Sequence, residues 1–571
     1  MTDTDPVIAE LTGPGGAFEI VVEDVCGVPT QVFAQRMRSM RELIVQNALR
    51  GDVDWIVQGD VRLTFGDHDA AVRSVATRLA ALGVRGGDRV ALAAANCPEW
   101  VVTFWATAAL GAVLVPLNAW WKAEELEFGI IDSGAKVLIG DARRIEVLRP
   151  RLTELRELLH VFSIGEAGDH PVRPFDELLG DDSPALPETP IDEDDLLAIA
   201  YTSGTTGQPK GATITHRQAI ANLQNIILAG YAQALRGNTT AGGVGGPAVG
   251  FAPHSPALPR DRVPRHDGRH VRDRRQARPD ATGTLRGCTR HGGDRAGEGH
   301  QHRRRPHGHV ADRRVARARP VRPLVGERAS YGGAPAAPEL VQRIEEVFPA
   351  LRKTLSTAYG LTESASVATL NAGDDYFSHP GSVGPAVPTV EIRVVDADGN
   401  GVPAGERGEI LVKGPTVMAR GYWRRPEANA AALTDGWFHS GDIGYLDADG
   451  FLYIVDRAKD MIIRAGENIY CVEVEHVLFD HPDVVDAAVV GVEHKELGEE
   501  VKAVVQLRDG ATATADEIRA FCRLHLADFK VPEYVEMRAE PLPRNPAGKI
   551  LKSLLRGGET SFAESADDSV L

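Results

Sequence analysis

The chain has 571 residues, which is too many for a single hydrophobic core, so we expect at least two domains. A hydrophobic fraction of 43% and a charged fraction of 25% are ordinary for a globular protein, and a formal net charge of −17 argues against nucleic-acid binding by the chain as a whole. The five cysteines are far apart and form no CxxC pair, which suggests neither a disulfide framework nor a zinc site and is usual in the reducing cytoplasm.

No secretory signal is visible at the N-terminus, which is acidic and lacks a basic region followed by an apolar core. The most apolar run, Val101–Leu117, contains Gly111 and Pro116 and divides into an amphipathic helix and a short strand. We therefore expect a cytoplasmic protein without a transmembrane segment. Peripheral contact with a membrane and the oligomeric state stay open.

Strands and helices alternate from about residue 60 onward, after a lead-in with one predicted helix over Arg36–Ala48. Apolar residues recur at helical spacing over Asp67–Leu82, and Gly86–Gly87 separates this helix from the next strand. Further strands are predicted over Arg89–Ala94, Ala112–Pro116 and Lys136–Ile139, and further helices over Glu99–Leu110, Lys122–Ser133 and His216–Ala232. Alternation of this kind is typical of a doubly wound, largely parallel sheet.

A segment rich in glycine and hydroxyl side chains follows the apolar run Leu196–Ala200. It is YTSGTTGQPKGA, residues Tyr201–Ala212. Glycines let the main chain approach a ligand, successive N–H groups can point inward, and a lysine supplies a compact cation. A surface turn has a similar composition, but the position after a buried strand favours a phosphate-binding loop. It is not a Walker loop, because Gly211 rather than Ser or Thr follows Lys210.

The composition changes between about residue 250 and residue 328. This segment has about twenty arginines, no lysine, no isoleucine and neither helical nor strand periodicity, so it cannot bury a core. We interpret it as a frameshifted translation from a GC-rich gene, because Pro259–Gly268, written in suitable codons and read one base later, can give HVTGCHATM. The alternative is a real basic insertion, which predicts salt-sensitive DNA binding.

The sequence beyond this segment is first β-rich and then returns to an α/β pattern. Val390–Val395 and Gly408–Lys413 alternate apolar and polar residues, as antiparallel strands do. After Asp456 we predict a smaller unit, with helices over Val472–His481 and Ala515–Leu526 and strands over Val484–Val492 and Val501–Leu507. The tail after Lys552 is polar, and we expect it to be disordered.

Two charged side chains are candidates for chemistry on a bound phosphate. Glu363 lies in a predicted turn within STAYGLTES, Ser356–Ser364, and a carboxylate beside a phosphate loop is what Mg²⁺ on a nucleotide requires. Lys549, in PRNPAGKILK, is the second candidate, because a positioned ammonium stabilises negative charge that develops on phosphate oxygens. Each of these residues taken alone is more often an ordinary surface group.

Several stretches together resemble the signatures of the adenylate-forming superfamily, which includes acyl-CoA synthetases, luciferases and nonribosomal adenylation domains. They are the loop at Tyr201–Ala212, YGLTE at Tyr359–Glu363, WFHSGD at Trp437–Asp442, YIVDRAKD at Tyr453–Asp460 and the lysine segment at Pro543–Lys552. The resemblance implies an α/β fold, with a large N-terminal domain of doubly wound sheets and a β-barrel-like subdomain and a small mobile C-terminal α+β domain. We place the AMP- and acyl-binding domain at 1–456, the catalytic-lysine domain at 457–552 and a disordered tail at 553–571.

The resemblance also implies roles for individual residues. Lys549 would be the catalytic lysine, with Thr362 on phosphate and Glu363 on Mg²⁺. Lys459 would be the hinge of the small domain, and Gly466 and Glu467 would face coenzyme A. The residues expected to contact ATP or AMP are Thr202, Ser203, Gly204, Thr205, Thr206, Gly207, Lys210, Gly332, Gly333, Ala334, Tyr359 (against the adenine), Asp442 (on the ribose hydroxyls) and Arg457.

By this resemblance the chain is expected to be an AMP-forming acyl-CoA synthetase that uses ATP, Mg²⁺ and coenzyme A. Its substrate would be a carboxylic acid, with a fatty acid as the default. One alternative is an adenylation enzyme that loads a carrier protein. The other is an inactive relic, because the segment 250–328 falls where the superfamily has much of its acyl pocket. We therefore expect the chain as written to have little or no ligase activity.

Overall fold

The computed structural model describes residues 5–166, 171–180, 184–202, 209–236, 329–332, 344, 346–349, 352, 354–458, 460–465, 467–508, 510–544 and 550–556. They all belong to one compact unit, formed by residues 1–255 and 327–571. The segment interpreted as frameshifted lies outside these ranges. Within them, no helix is long and apolar enough to cross a membrane.

The lead-in contains two antiparallel hairpins that the sequence analysis did not predict, in addition to the predicted helix. That helix begins at Met40, four residues later than expected, and Ser39 precedes it with extended backbone. The elements of this region are α1 (Pro6–Thr12), β1 (Ile20–Val25), β2 (Val28–Phe33), α2 (Met40–Ala48), β3 (Asp54–Gln58) and β4 (Val61–Thr64).

The next region forms a seven-stranded sheet with helices on both faces, which confirms the predicted α/β class. Its elements are α3 (Phe65–Ala81), β5 (Arg89–Ala93), α4 (Pro98–Leu110), β6 (Val113–Pro116), α5 (Ala123–Ser133), β7 (Val137–Asp141), α6 (Ala142–Leu148), β8 (His160–Ile164), β9 (Val172–Pro174), β10 (Leu196–Thr202), β11 (Lys210–Thr215) and α7 (His216–Leu235). The strand order is β11-β10-β6-β5-β7-β8-β9, and all neighbours are parallel except β10 and β11. Strand β5 separates two cores, since Val90 and Leu92 belong to one and Ala91 and Ala93 to the other.

Local capping signals set the ends of these helices. The Thr64 side chain accepts a hydrogen bond from Asp67 N–H while Asp67 bonds back to Thr64, which begins α3. Helix α4 has Pro98 in its first turn and ends at Gly111, whose φ of 71° is left-handed. These signals can be read from the sequence, and the observed bounds lie within two residues of the predicted ones.

The middle region is made of two further sheets. Its elements are β12 (Ala329–Gly332), β13 (Leu355–Tyr359), β14 (Thr369–Ala372), α8 (Asp374–Ser378), β15 (Glu391–Val395), β16 (Gly408–Lys413), α9 (Pro426–Ala432), β17 (Leu433–Thr434), β18 (Trp437–Leu446) and β19 (Leu452–Arg457). Strands β12 and β13 are parallel, and β14 is antiparallel to β13. The antiparallel sheet has the strand order β15-β16-β18-β17, and β19 also pairs with β18. It contains the strands predicted from alternation.

The last region is a small α+β unit. Its elements are β20 (Ile462–Arg464), β21 (Glu467–Ile469), α10 (Cys471–Phe479), β22 (Val484–His494), β23 (Gly498–Leu507), α11 (Ala515–His525), β24 (Tyr534–Arg538) and α12 (Lys552–Leu555). Five strands form one sheet, in which β24 is parallel to β23. Because Leu555 is buried, the ordered part of this unit continues past Lys552, where the tail was expected to begin.

A buried cluster of charged groups connects the end of β19 to this small unit. The Asp456 carboxylate accepts hydrogen bonds from the backbone N–H groups of Arg457, at 2.7 Å, and Cys471, at 2.5 Å. Lys552 Nζ lies 2.8 Å from Glu475 Oε1. Burial raises the pKa of Asp456 to about 6, and the positive charge of Lys552 opposes that rise.

Candidate active site

The ends of the predicted phosphate-binding loop are fixed by the hairpin of β10 and β11. Thr202 and Lys210 are cross-strand partners, and Thr202 Oγ1 donates to the Lys210 carbonyl at 3.3 Å. Gly211 allows close packing here, because a Cβ at this position would lie 2.5 Å from Ile199 Cγ2. The predicted loop residues between the strands lie outside the described part of the chain: Ser203, Gly204, Thr205, Thr206 and Gly207.

Glu363 lies in a single 3₁₀ turn, Thr362–Ser364, directly after β13. The turn ends with Ala365 at φ 48° and Ser366 at φ 103°, both left-handed, and such backbone is costly for residues other than glycine. The Glu363 carbonyl accepts a hydrogen bond from the backbone N–H of Met418 at 2.9 Å, and Oε1 accepts one from the Tyr422 hydroxyl at 2.9 Å. The turn therefore presents the carboxylate with a fixed direction, and Thr362 opens the turn beside it.

Tyr422 also contacts Lys210. Lys210 Nζ lies 5.5 Å from the centroid of the Tyr422 ring, within the range of a cation–π contact. The predicted cation of the loop and the predicted Mg²⁺ ligand thus both contact one aromatic side chain.

Asp442, Arg457 and Tyr359 form a second group. Asp442 is 3% exposed and faces Arg457 across the β18–β19 ladder, with Oδ1 at 2.8 Å from Arg457 Nε. The Tyr359 hydroxyl donates to Asp442 Oδ2 at 2.7 Å. Burial, together with the charge of Asp442, raises the pKa of Tyr359, so its phenol is a neutral donor at ordinary pH. Gly332 pairs with Ala358 across β12 and β13, and its backbone therefore lies beside this group.

Only some of the predicted site residues of the small unit lie in the described part of the chain. Lys459, Gly466 and Lys549 lie outside the described residues, as do Gly333 and Ala334.

The chain is described on both sides of Lys549. Arg544 and Ile550 form an antiparallel bridge, and the Leu551 N–H donates to the Pro543 carbonyl at 2.8 Å. Glu467 is exposed and pairs with Arg464 in the β20–β21 hairpin, and its described contacts do not connect it to Asp442 or Glu363.

The sequence analysis missed Asp132, which fastens the loop hairpin to the chain around Tyr422. Its carboxylate accepts hydrogen bonds from the Tyr201 hydroxyl at 2.7 Å and from Arg425 at 2.6 Å. Its carbonyl accepts one from the Trp423 indole at 3.1 Å. Tyr422 was missed as well, and the aromatic pair after Gly421 was its only signal in the sequence.

The site has the chemistry to hold a nucleotide with a hard metal ion. Mg²⁺ is usually held by one or two protein carboxylates together with phosphate oxygens and waters. The single carboxylate of Glu363, close to a lysine, fits that pattern. Across the ranges that the structure describes, no cluster of three or more His, Cys, Asp or Glu side chains would hold a metal by itself.

Comparisons with known proteins agree with this picture. A family model described as AMP-binding enzyme matches residues 45–241 and 286–423, and one described as AMP-binding enzyme C-terminal domain matches residues 473–549. A feruloyl-CoA synthase from Amycolatopsis sp is 36% identical over 507 residues, which is 87% of this chain and 94% of that protein. A long-chain-fatty-acid–CoA ligase from Salmonella typhimurium is 32% identical over 598 aligned positions, covering 93% of this chain and 96% of that protein. The crystal structure of ATP-bound MatB from Rhodopseudomonas palustris is 25% identical with a TM-score of 0.65, covering 91% of this chain and 99% of that one.

Proposed function

The chain belongs to the AMP-binding enzymes, an adenylate-forming family of acid–CoA ligases, and on that premise we propose that it activates a fatty acid with ATP and transfers the acyl group to coenzyme A. The observation that carries the proposal is the presence of two matched groups in one compact unit. Lys210 and Glu363, which both contact Tyr422, suit a metal-bound triphosphate, and Asp442 with Arg457 suits a ribose.

The reaction has two halves. A carboxylate oxygen of the acid attacks the α-phosphorus of ATP, and the bond to the β-phosphate oxygen breaks, which gives an acyl-adenylate and pyrophosphate. The coenzyme A thiol then loses its proton and attacks the acyl carbon, and AMP leaves. In the first half two anions must approach each other, so cationic groups positioned around the phosphates stabilise the transition state.

The nucleoside end would be held by the buried group around Asp442. A carboxylate that is 3% exposed and already fixed by Arg457 and Tyr359 is pre-organised to accept hydrogen bonds from ribose hydroxyls. Tyr359 would present its ring to the adenine, since its hydroxyl is engaged by Asp442. The backbone of Gly332 runs alongside in β12, where the absence of a side chain leaves volume for a flat base.

The triphosphate end would be held by the loop that starts at Thr202 and by Lys210, with Thr362 on a phosphate oxygen. Glu363 would be the protein ligand of Mg²⁺, which when bound neutralises phosphate charge. The residues of this chain bind and orient the phosphates here, and the strained turn at Ala365 and Ser366 keeps the Glu363 carboxylate directed toward them.

We assign the catalytic ammonium to Lys549 and the hinge to Lys459. A lysine on the small unit can contact the acid and the α-phosphate in the first half-reaction, and rotation about the hinge then withdraws it. Gly466 and Glu467 would face the thiol in the second arrangement. The domain limits at 456 and 552 belong to this proposal, with the small unit extended to include α12.

The acid is the open part of the assignment. A fatty acid is supported by the long-chain-fatty-acid–CoA ligase relatives, and an aromatic acid is the second candidate because the feruloyl-CoA synthase relatives share more identity with this chain.

Acid-dependent exchange of pyrophosphate into ATP tests the first half-reaction, with palmitate and ferulate compared at equal concentration. Thioester formation with coenzyme A, compared with pantetheine and with a carrier protein, tests the second. In a version of the chain with the reading frame across residues 250–328 restored, the expected result is exchange with palmitate and a coenzyme A thioester. Activity with ferulate and none with palmitate would show that the substrate is an aromatic acid. Acyl transfer to a carrier protein and none to coenzyme A would show that the carrier protein is the acceptor.

The frameshift hypothesis adds to this experiment a comparison of the chain as written with a version in which the reading frame is restored. We expect the chain as written to be weakly active or inactive. A version in which the reading frame across residues 250–328 is restored should exchange pyrophosphate at an ordinary rate. Stop codons in the shifted frame of the gene, or full activity of the chain as written, would refute the frameshift hypothesis.

A further inference from the structure

Tyr422 contacts both charged groups proposed to receive the triphosphate and its metal ion. Its hydroxyl donates to Glu363 Oε1 at 2.9 Å, and the Lys210 ammonium lies 5.5 Å from the centroid of its ring. In the described part of the chain Lys210 and Glu363 form no ion pair with each other, and both contact Tyr422.

The backbone around Tyr422 is held by the Asn429 side chain and by strand β11. The Asn429 side chain accepts a hydrogen bond from the Tyr422 N–H at 2.6 Å and donates one to the Tyr422 carbonyl at 3.1 Å. Tyr422 also forms an antiparallel bridge with Ala212, and the Trp423 N–H donates to the Gly211 carbonyl at 2.8 Å. The backbone of Tyr422 therefore cannot shift without breaking contacts to the strand that follows the phosphate loop.

The state of the phenol suits a donor. In the 2.9 Å contact the hydroxyl is the donor, because a carboxylate oxygen of Glu363 can only accept. A carboxylate has two oxygens, and the hydroxyl occupies Oε1. In the described part of the chain no hydrogen bond or ion pair reaches the second oxygen of Glu363, which can therefore bind a cation.

We infer that Tyr422 is a positioning residue for the metal-bound nucleotide. Its hydroxyl directs one oxygen of Glu363 toward the metal, and its ring keeps the Lys210 ammonium apart from that carboxylate and available to phosphate. This inference rests on the proposed function and deepens it, because it assigns a role to a residue that does not itself contact the reacting atoms.

The test is ATP binding by the full chain, measured by isothermal titration calorimetry with Mg²⁺ and with EDTA. Tyr422→Phe keeps the ring and removes the hydroxyl, so we expect affinity in Mg²⁺ to fall about tenfold, as is typical for loss of a hydrogen bond to a charged group. Affinity in EDTA should change less than about twofold. The matched control is Tyr453→Phe, which removes a hydroxyl bonded to Asp447 in the β18–β19 hairpin and should leave both affinities unchanged.

A double-mutant cycle with Glu363→Gln separates positioning from loss of structure. The ATP affinity of Glu363→Gln should no longer depend on Mg²⁺. Adding Tyr422→Phe to this variant should not lower its ATP affinity further. Equal weakening in Mg²⁺ and in EDTA, or additive losses in the double variant, would refute the role of Tyr422 and leave the proposed function intact. Absence of ATP binding by the unmodified chain in Mg²⁺ would overturn both. If Tyr422→Phe does not fold, Glu363→Gln with unaltered Mg²⁺ dependence is enough to refute the inference.

Discussion

Replacement of Lys552 by methionine should destabilise the C-terminal unit strongly, even though the lysine lies four residues from the last described position. The Lys552 ammonium lies 2.8 Å from Glu475, and the two side chains are only 18% and 14% exposed. Burial alone would lower the pKa of Lys552, but Glu475 and Asp456 raise it overall, so the lysine is charged in the folded state. Methionine preserves the apolar stem and removes only the charge.

The expected loss is about 3 kcal/mol in the free energy of unfolding, the lower end of the range for removing one partner of a buried ion pair. In a domain of about a hundred residues, each kcal/mol changes Tm by roughly 4–8 °C, so the transition should fall by at least about 12 °C. Most of the loss comes from Glu475 and Asp456, which remain buried without a compensating cation.

The effect should depend on pH with a definite sign. Asp456 has its pKa raised from 3.8 to about 6, so its contribution to stability is fully present below pH 3.8 and is lost as the pH rises through 6. Removing the lysine raises that pKa further, because a favourable charge is lost. The variant should therefore resemble the unmodified chain most closely near pH 4.5 and differ most at pH 7.5.

Scanning calorimetry at pH 4.5, 6.0 and 7.5 measures this difference. The matched control is Arg556→Met, because Arg556 follows α12 directly and its pair with Asp460 is more exposed, at 37% and 19%, so it should cost no more than about 1 kcal/mol. If the two variants lose the same stability, or if Lys552→Met is most harmful at acid pH, the buried-cluster reasoning is wrong.

Three further predictions concern the large domain. Tyr359→Phe should weaken AMP binding about tenfold, because Asp442 loses the hydroxyl that fixes Oδ2; unchanged AMP affinity in calorimetry would contradict this role. Gly211→Ala should cost about 1–3 kcal/mol and displace the base of the loop, since its Cβ would lie 2.5 Å from Ile199; a Tm equal to that of the unmodified chain would show that the packing can relax. Burial lowers the pKa of His216 from 6.5 to about 4, so its contribution to stability is present above pH 6.5 and is lost as the pH falls toward 4. His216→Asn, with an acceptor near the position of Nδ1, should show a smaller fall in Tm between pH 7 and pH 4.5, and an unchanged fall would argue against this residue as a source of acid sensitivity.

Features set by local signals could be predicted from the sequence. Helices α3, α4 and α11 were found because apolar periodicity and capping residues lie within the elements themselves. Strand β11 and the hairpins of the lead-in were missed because their strands have six residues or fewer. The lead-in hairpins do have two-residue loops with glycine, Cys26–Gly27 and Gly59–Asp60, which are turn signals.

The candidate site divides in the same way. The segments containing Lys210, Glu363 and Asp442 could be found because each has a compact pattern in the sequence. Tyr422 and Asp132 could not, because their roles come from partners distant in the chain. Tyr422 is 59 residues from Glu363, and Asp132 is 293 residues from Arg425. No single-sequence pattern contains such pairs.

The attachment of the loop hairpin to the chain around Tyr422 has a consequence for biosynthesis. Thr213 and Gly421 are hydrogen-bonded but 208 residues apart, so at roughly 5–20 residues per second the ribosome needs about 10–40 s to deliver the second partner after the first. During that time the seven-stranded sheet can be completed while one edge of its hairpin is still uncovered. An emerging chain with an unpaired strand edge is a natural client for chaperones that act during translation, and slower elongation between these two positions should lower the soluble yield.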